Sequence, residues 1–413
     1  MKILTVVFSL SKGGTQRAAV NFSIGYSKLG HDSRLLLLFS EYDGIRRTTL
    51  ERNKIIIYNY EKIQEIADWK PDLIHLHSHA LTEKRVINCL KLSQNAKIVE
   101  TNVFSEPNPW SKYVEISFQL SNWCDWLFKK RTKNLYNTEI LGNPIICENF
   151  WKASENEIKT FKEKYELTHN QIVLGRIGQA TISKWSPKII EVFENLSKTY
   201  PNISLLLVNP PNTITDKIKN SYYKNKIKII KKITDDNLLR ICYSSIDIFI
   251  HIANQGESFG YVLAESLLCQ TPVVTLQTPW ADNTQCELVG NGRGGKVCFY
   301  EKSFTNVVKN LIEDEGLRKH YGKLGRNYII KNYNYIDLAK KSIDLCSKNY
   351  SYQKGKISPF KLSSNSVEKI DIISKLILKS ETFFKLLKIT TNFESPLSII
   401  KRKFFEIYQK LKK

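Results

Sequence analysis

The chain lacks a Cys-x-x-Cys pair, a long apolar run, and an Asp-x-Asp pair at the end of any candidate strand. Its eight cysteines (89, 124, 147, 242, 269, 286, 298 and 346) are scattered. That spacing fits neither a disulfide framework nor a zinc site, and points to reduced thiols in a cytosolic chain. No stretch approaches the ~18 consecutive apolar residues that a membrane-spanning helix needs. The apolar start, Met1 to Leu10, leads into Gly13-Gly14 without a small-residue cleavage site, so it reads as a first strand rather than a secretory signal. Acidic residues are scarce: 40 Asp and Glu against 62 Lys and Arg leave a net charge of +22. The excess suits nucleic acid, an anionic membrane or an anionic small substrate. No nucleic-acid-binding module is recognisable, and part of the basic excess alternates with an apolar stripe, so nucleic acid is not expected as a partner.

What is present is a folded composition, 42% hydrophobic and 25% charged, over 413 residues. That length suits two domains of ordinary size. Strands alternate with helices from Lys2 to Leu141, with a strand at Pro71-Asp-Leu-Ile-His75-Leu-His77. The segment 104–136 is aromatic-rich and unplaced. Gly142-Asn143-Pro144 is a turn signal, taken as a hinge. A second alternation runs from Ile172 to about 347. The class is therefore α/β: two doubly wound parallel sheets, with the ligand cleft at the strands' carboxyl ends. The expected domains are 1–145, 146–350 (whose last helix, 335–347, could return to the first domain) and a tail, 351–413. The tail holds 14 Lys/Arg against 5 Asp/Glu. Its apolar stripe (Ile370, Ile373, Ile377, Phe384, Leu387, then Leu397, Phe404, Leu411) makes basic amphipathic helices. Such helices lie on anionic membrane surfaces, or pack on a protein body.

The second alternation centres on His251-Ile-Ala-Asn-Gln-Gly-Glu257-Ser-Phe-Gly-Tyr-Val-Leu-Ala-Glu265. A buried strand ends here, a glycine-bearing loop follows, and a helix begins whose N-terminus favours an anion. Two carboxylates, Glu257 and Glu265, frame the loop. A phosphate cradle between hydroxyl-binding carboxylates suits a nucleotide-sugar. Taken alone, the pattern is equally that of an ordinary βαβ unit with surface glutamates.

Over roughly residues 1–350 the chain resembles the retaining glycosyltransferases of family four, of the bacterial envelope type and with the GT-B fold. The resemblance is carried, in the family's order, by Gly13-Gly14-Thr-Gln16-Arg17, Pro71 to His77, Gly142-Asn143-Pro144, Leu174-Gly175-Arg176 with Lys184, and Glu257 to Glu265 followed by Pro272-Val-Val. It implies two Rossmann-like domains facing a cleft. It further implies that Arg176 and Lys184 bind the donor diphosphate and that Glu265 binds the ribose. Glu257 would contact the sugar, with Ser258, Phe259, Gly260 and Tyr261 near the phosphate or sugar. Gly14 would allow close approach to the diphosphate, and Gln16 would lie nearby, facing the acceptor. His77 is the histidine assigned to the donor sugar, with His79 an alternative.

The implied function is metal-independent transfer, with retention, from a UDP- or GDP-sugar to a glycan or lipid-linked acceptor in surface polysaccharide synthesis. No cofactor is implied, and the location is cytoplasmic and peripheral to the membrane. A GT-B nucleotide-sugar epimerase and a non-catalytic GT-B subunit that recruits a partner are the alternatives. The chain departs from the family at Asn209-Pro-Pro-Asn212, at Trp185-Ser186, and at Trp280 to Glu287.

Overall fold

The computed structural model describes residues 1–11, 13–39, 44–77, 83–92, 95–168 and 170–348. The tail assigned to 351–413 and the alternative histidine, His79, lie outside the described residues. The chain divides into two compact units; the first comprises Met1–Ile146 with the segment from Asn332, and the second runs from Cys147 to Lys331.

The first unit is built on a seven-stranded sheet. Its strands are β1 (Lys2–Val7), β2 (Asp32–Leu37), β3 (Ile56–Asn59), β4 (Leu73–His77), β5 (Lys97–Asn102), β6 (Ile116–Gln119) and β7 (Thr138–Ile140). Their order is β3-β2-β1-β4-β5-β6-β7, and all pairings are parallel. β4 is buried along its whole length, as a central parallel strand covered on both faces must be. β3 starts only at Ile56, two residues after Lys54 takes a left-handed turn conformation, φ 58°. The aromatic-rich segment resolves into β6 and the helix Asn122–Thr132. Ser121 caps that helix by accepting from the Cys124 amide at 3.1 Å. Trp123, Trp126, Leu127 and Phe128 are its buried face. The last described helix, Tyr335–Cys346, packs on the helix Gly14–Lys28. Gly25 permits that approach, since a Cβ there would sit 2.7 Å from Ala339 Cβ.

The second unit carries six parallel strands: β8 (Ile172–Ile177), β9 (Ile203–Val208), β10 (Ile227–Ile230), β11 (Ile248–His251), β12 (Val273–Leu276) and β13 (Gly295–Cys298). Their order is β10-β9-β8-β11-β12-β13. Its core joins the helix Lys188–Ser197 and the helix Glu301–Glu313 to the sheet through Ile189, Phe193, Leu205, Ile250, Phe304 and Val308. In both sheets the strand order reverses beside the first strand of the unit. In an open α/β sheet that switch point is where ligands bind, at the carboxyl ends of the strands. In the first unit it lies between β1 and β4, and in the second between β8 and β11. The α/β reading with two Rossmann-like sheets is thus what the chain adopts.

Candidate active site

At the second unit's switch point four side chains meet. Arg176, near the end of β8, is fully buried, 0% exposed. Its guanidinium donates to Ile177 O at 3.0 Å and Lys184 O at 2.7 Å. Burial pulls its pKa down to about 10, against the opposing field of Glu257. Lys184, on the loop after β8, donates from Nζ to Glu257 Oε2 at 2.8 Å and to Gly256 O at 3.0 Å. Burial works against its charge, but Glu257 and Asp282 more than compensate and its pKa rises. Glu257 also lies 3.2 Å from His251 Nε2 and 3.8 Å from Arg176. Burial alone would protonate it; Lys184, His251 and Arg176 instead hold it well below the usual carboxylate range.

His251, the last residue of β11, was given no role from sequence. Burial and the Arg176 charge lower its pKa to about 4, so the ring is neutral at pH 7. An ionised carboxylate only accepts, so Nε2 carries the proton toward Glu257. Nδ1 then accepts from Thr275 Oγ1 at 2.9 Å, from the end of β12. The result is a directed chain, Thr275 to His251 to Glu257, which fixes one carboxylate oxygen and leaves the other for Lys184.

The backbone of the Glu257 loop is equally constrained. Gly256 has φ 66°, and a Cβ on it would lie 2.1 Å from Asp282 O and Thr278 Oγ1. The Glu257 amide donates to Gln285 Oε1 at 3.0 Å, and Glu257 O accepts from the Thr284 amide at 3.1 Å. Gly260, φ 100°, is the N-cap of the helix Tyr261–Leu268, so the turn into the helix takes a backbone conformation that glycine alone adopts cheaply. Ser258 hydroxyl donates to Asp282 Oδ2 at 2.7 Å. Phe259 is buried, edge-on to Tyr261 at 5.0 Å. Thus Arg176 and Lys184 gather at Glu257, and Ser258 to Tyr261 carry its loop into the helix.

Glu265 lies within the helix Tyr261–Leu268. It is 2% exposed, and its Oε2 accepts from the Tyr243 hydroxyl at 2.7 Å. Tyr243 is itself buried, and burial next to Glu265 raises its pKa. Sequence spacing could not reveal that bond, because Tyr243 comes from a different helix, Asp236–Ser244.

In the first unit, His77 ends β4 and is fully buried. Neither ring nitrogen has a hydrogen-bond partner. Its ring lies tilted, 4.1 Å from His75 and 5.4 Å from Phe22, and burial lowers its pKa to about 3. His75, one pleat back, is satisfied on both sides, by Tyr26 hydroxyl at 2.9 Å and Thr101 Oγ1 at 2.8 Å. Gly14 opens the helix Gly14–Lys28 and is exposed. Gln16, half-buried in the first turn, folds back so that its Oε1 fills the space a Cβ on Gly13 would need.

Among the described residues no helix is long and apolar enough to cross a membrane, and no three His, Cys, Asp or Glu side chains gather to hold a metal ion. The Asp235 carboxylate caps the helix Asp236–Ser244 by accepting from the Leu238 amide at 2.7 Å.

Residues 157–328 match the family model described as glycosyl transferases group 1. The chain is 21% identical over 389 residues to an alpha-monoglucosyldiacylglycerol synthase of Acholeplasma laidlawii, spanning 81% of this chain and 94% of the relative. It is 29% identical over 196 residues to an uncharacterized glycosyltransferase of Methanocaldococcus jannaschii, spanning 46% of this chain and 47% of that one. Among solved structures it resembles Anabaena HepE in complex with UDP and glucose. That likeness has TM-score 0.70 and 16% identity over 84% of this chain and all of HepE. It also resembles S. aureus TarM, TM-score 0.66 at 11% identity over 84% of this chain and all of TarM. At these identities the structural likenesses establish the fold, which is GT-B.

Proposed function

We propose that this chain, whose residues 157–328 carry a glycosyl transferases group 1 domain, moves a glycosyl group from a nucleotide-diphospho-sugar to a glycan or lipid-linked acceptor with retention at the anomeric carbon. The observation that carries the reading is the Lys184–Glu257–His251–Arg176 cluster at the second unit's switch point. The Lys184 ammonium, lodged at the loop after β8, is the cation a departing diphosphate meets. Arg176 lies beneath it, adding charge and holding the Lys184 backbone. Together they stabilise the leaving group by preorganised electrostatics, without a metal. The bond from anomeric carbon to phosphate oxygen breaks as the acceptor oxygen approaches on the same face, and the acceptor proton passes to the departing phosphate oxygen. Glu265, oriented by Tyr243, is assigned to the ribose, and Glu257 to the sugar. The histidine assigned to the donor sugar is His77; Gly14 is assigned to the diphosphate, with Gln16 beside it facing the acceptor.

HepE, a neighbour in fold, was crystallised with UDP and glucose, which favours a UDP-sugar over a GDP-sugar as donor. The test is a panel of UDP- and GDP-sugars assayed for protection against thermal unfolding and for nucleotide release. At least one should raise the melting temperature of the wild type, since a ligand of the native state stabilises it by mass action. Lys184→Ala should abolish release, with or without chelator. Full turnover by Lys184→Ala would remove the lysine from the mechanism.

The A. laidlawii relative is named for a diacylglycerol product, and the basic amphipathic segment 351–413 suits an anionic membrane surface. We place the working enzyme on the cytoplasmic face of the membrane. Full-length chain should float with vesicles containing anionic lipid, and chain lacking 351–413 should float less. Equal flotation would assign the segment to the protein body or to a partner.

A further inference from the structure

The loop after β12 is where the chain departs from the family, and its packing ties it to the Glu257 loop. Thr278 amide donates to Asn283 Oδ1 at 2.8 Å, Thr278 hydroxyl to Asp282 O at 2.5 Å, and Gln285 Nε2 to Thr278 Oγ1 at 2.6 Å. The Asp282 amide donates to Gln255 O at 3.1 Å, and the Trp280 indole N–H to Asn254 O at 3.1 Å. With the Gln285, Thr284 and Ser258 bonds described above, this loop and the Glu257 loop form one rigid piece. Within it Ala281, Asn283, Thr284 and Gln285 are buried, while Trp280 and Asp282 stay partly exposed. The loop therefore turns outward an indole fixed by its N–H and a carboxylate whose field reaches Lys184. A hydroxyl, Ser258, already hydrogen-bonds that carboxylate.

Aromatic faces cover apolar surface, and carboxylates accept hydroxyl hydrogen bonds at about four lone-pair sites. That is the pairing a sugar ring presents: an apolar C–H face and a rim of hydroxyl donors. We infer that Trp280 and Asp282 determine which sugar the donor carries, Asp282 accepting from its hydroxyls and Trp280 covering an apolar ring face. A neutral hydroxy-sugar fits against the Asp282 carboxylate, and a uronate carboxylate brought against it is repelled. The inference rests on the nucleotide-sugar reading proposed above.

The test compares, for the full-length chain, the affinity for a nucleotide-sugar with that for the bare nucleotide. The probes are UDP, UDP-glucose, UDP-galactose, UDP-N-acetylglucosamine, UDP-glucuronate, GDP and GDP-mannose, by titration calorimetry. Asp282→Asn keeps the acceptor for Ser258 and removes the charge. It should weaken the best neutral nucleotide-sugar at least about tenfold, the scale of one hydrogen bond to a charged group, and leave the bare nucleotide within twofold. It should also narrow the gap between that sugar and UDP-glucuronate. Trp280→Ala should weaken the sugar in the same way, with partial recovery in Trp280→Phe. Parallel loss of sugar and bare nucleotide, no loss of either, or a wild type that prefers UDP-glucuronate would each overturn the inference while leaving the nucleotide-sugar reading intact. A wild type that binds no nucleotide overturns both.

Discussion

The two units end equivalent strands on histidines, and the histidines are treated in opposite ways. β11 delivers His251 into a chain of donors and acceptors, Thr275 to His251 to Glu257, closed by Lys184 and Arg176. β4 delivers His77 among aromatic rings with neither nitrogen bonded. Both rings are buried and neutral, yet one sits in a hydrogen-bonded ionic network and the other among aromatic rings. A hydrogen-bonded network holds charges in place before any ligand arrives, which is what stabilising a developing negative charge requires. A bare, neutral ring contributes no net charge and leaves its hydrogen bonds to be made. On the function proposed above, the difference gives the electrostatic labour to the second unit and a neutral, hydrogen-bonding role to the first.

Substitution at the two positions that anchor this contrast should have unequal costs. Arg176→Leu strips Ile177 O and Lys184 O of their donor and takes a cation from buried Glu257. Breaking a buried ionic group in this way costs about 3–5 kcal/mol. Urea unfolding should report a loss of that order, with transfer activity gone. His77→Leu removes two polar atoms that have no partner, so its stability should change by less than ~1 kcal/mol in either direction, while transfer falls. Equal losses at both positions would erase the contrast, and would mean that His77 is bound to something the native chain itself supplies.

The sequence made most of this architecture legible, and its failures have local causes. Strands β4, β8, β9, β11 and β12 are mainly apolar and almost wholly buried, as strands covered on both faces are. The register between β11 and β12 then places Thr275 directly beside His251, but nothing in either stretch marks the bond that follows. The same holds for Tyr243 and Glu265, which come together across two helices. β13 begins at Gly295, where a Cβ would lie 1.7 Å from Val273 O. A glycine chosen for close packing weakened the strand signal that it serves. The helix Asn122–Thr132 was hidden because its tryptophans, phenylalanine and basic residues are mixed along the segment, and its N-cap Ser121 is an ordinary serine until the helix exists. Motif residues in one loop were readable; contacts that join separate elements were not.

Acid offers the finest probe of the contrast, with the smallest effect. His77 and His251 titrate near 3 and 4 in the folded chain, each lowered first by burial, against about 6.5 when unfolded. Between those values the unfolded chain binds protons that the native chain does not, so stability falls as pH drops below ~6.5. Glu257 has the opposite chemistry, a carboxylate held low, and begins to cost stability only below ~4.5, where the unfolded carboxyl takes up its proton. The window from pH 6.5 to 5 therefore isolates the histidines, each contributing up to ~1.4 kcal/mol per pH unit. Calorimetric melts at pH 7 and pH 5 should show a smaller acid shift in His77→Gln and in His251→Gln than in the wild type. The two should then separate in an Arg176→Leu background. His251 owes part of its low pKa to the Arg176 charge, so its share of the acid shift should shrink there. His77 owes its low pKa to burial alone, and its share should persist. If Arg176→Leu changed both shares alike, the two strand ends would not be electrostatically independent, and the division of labour between the units would fail.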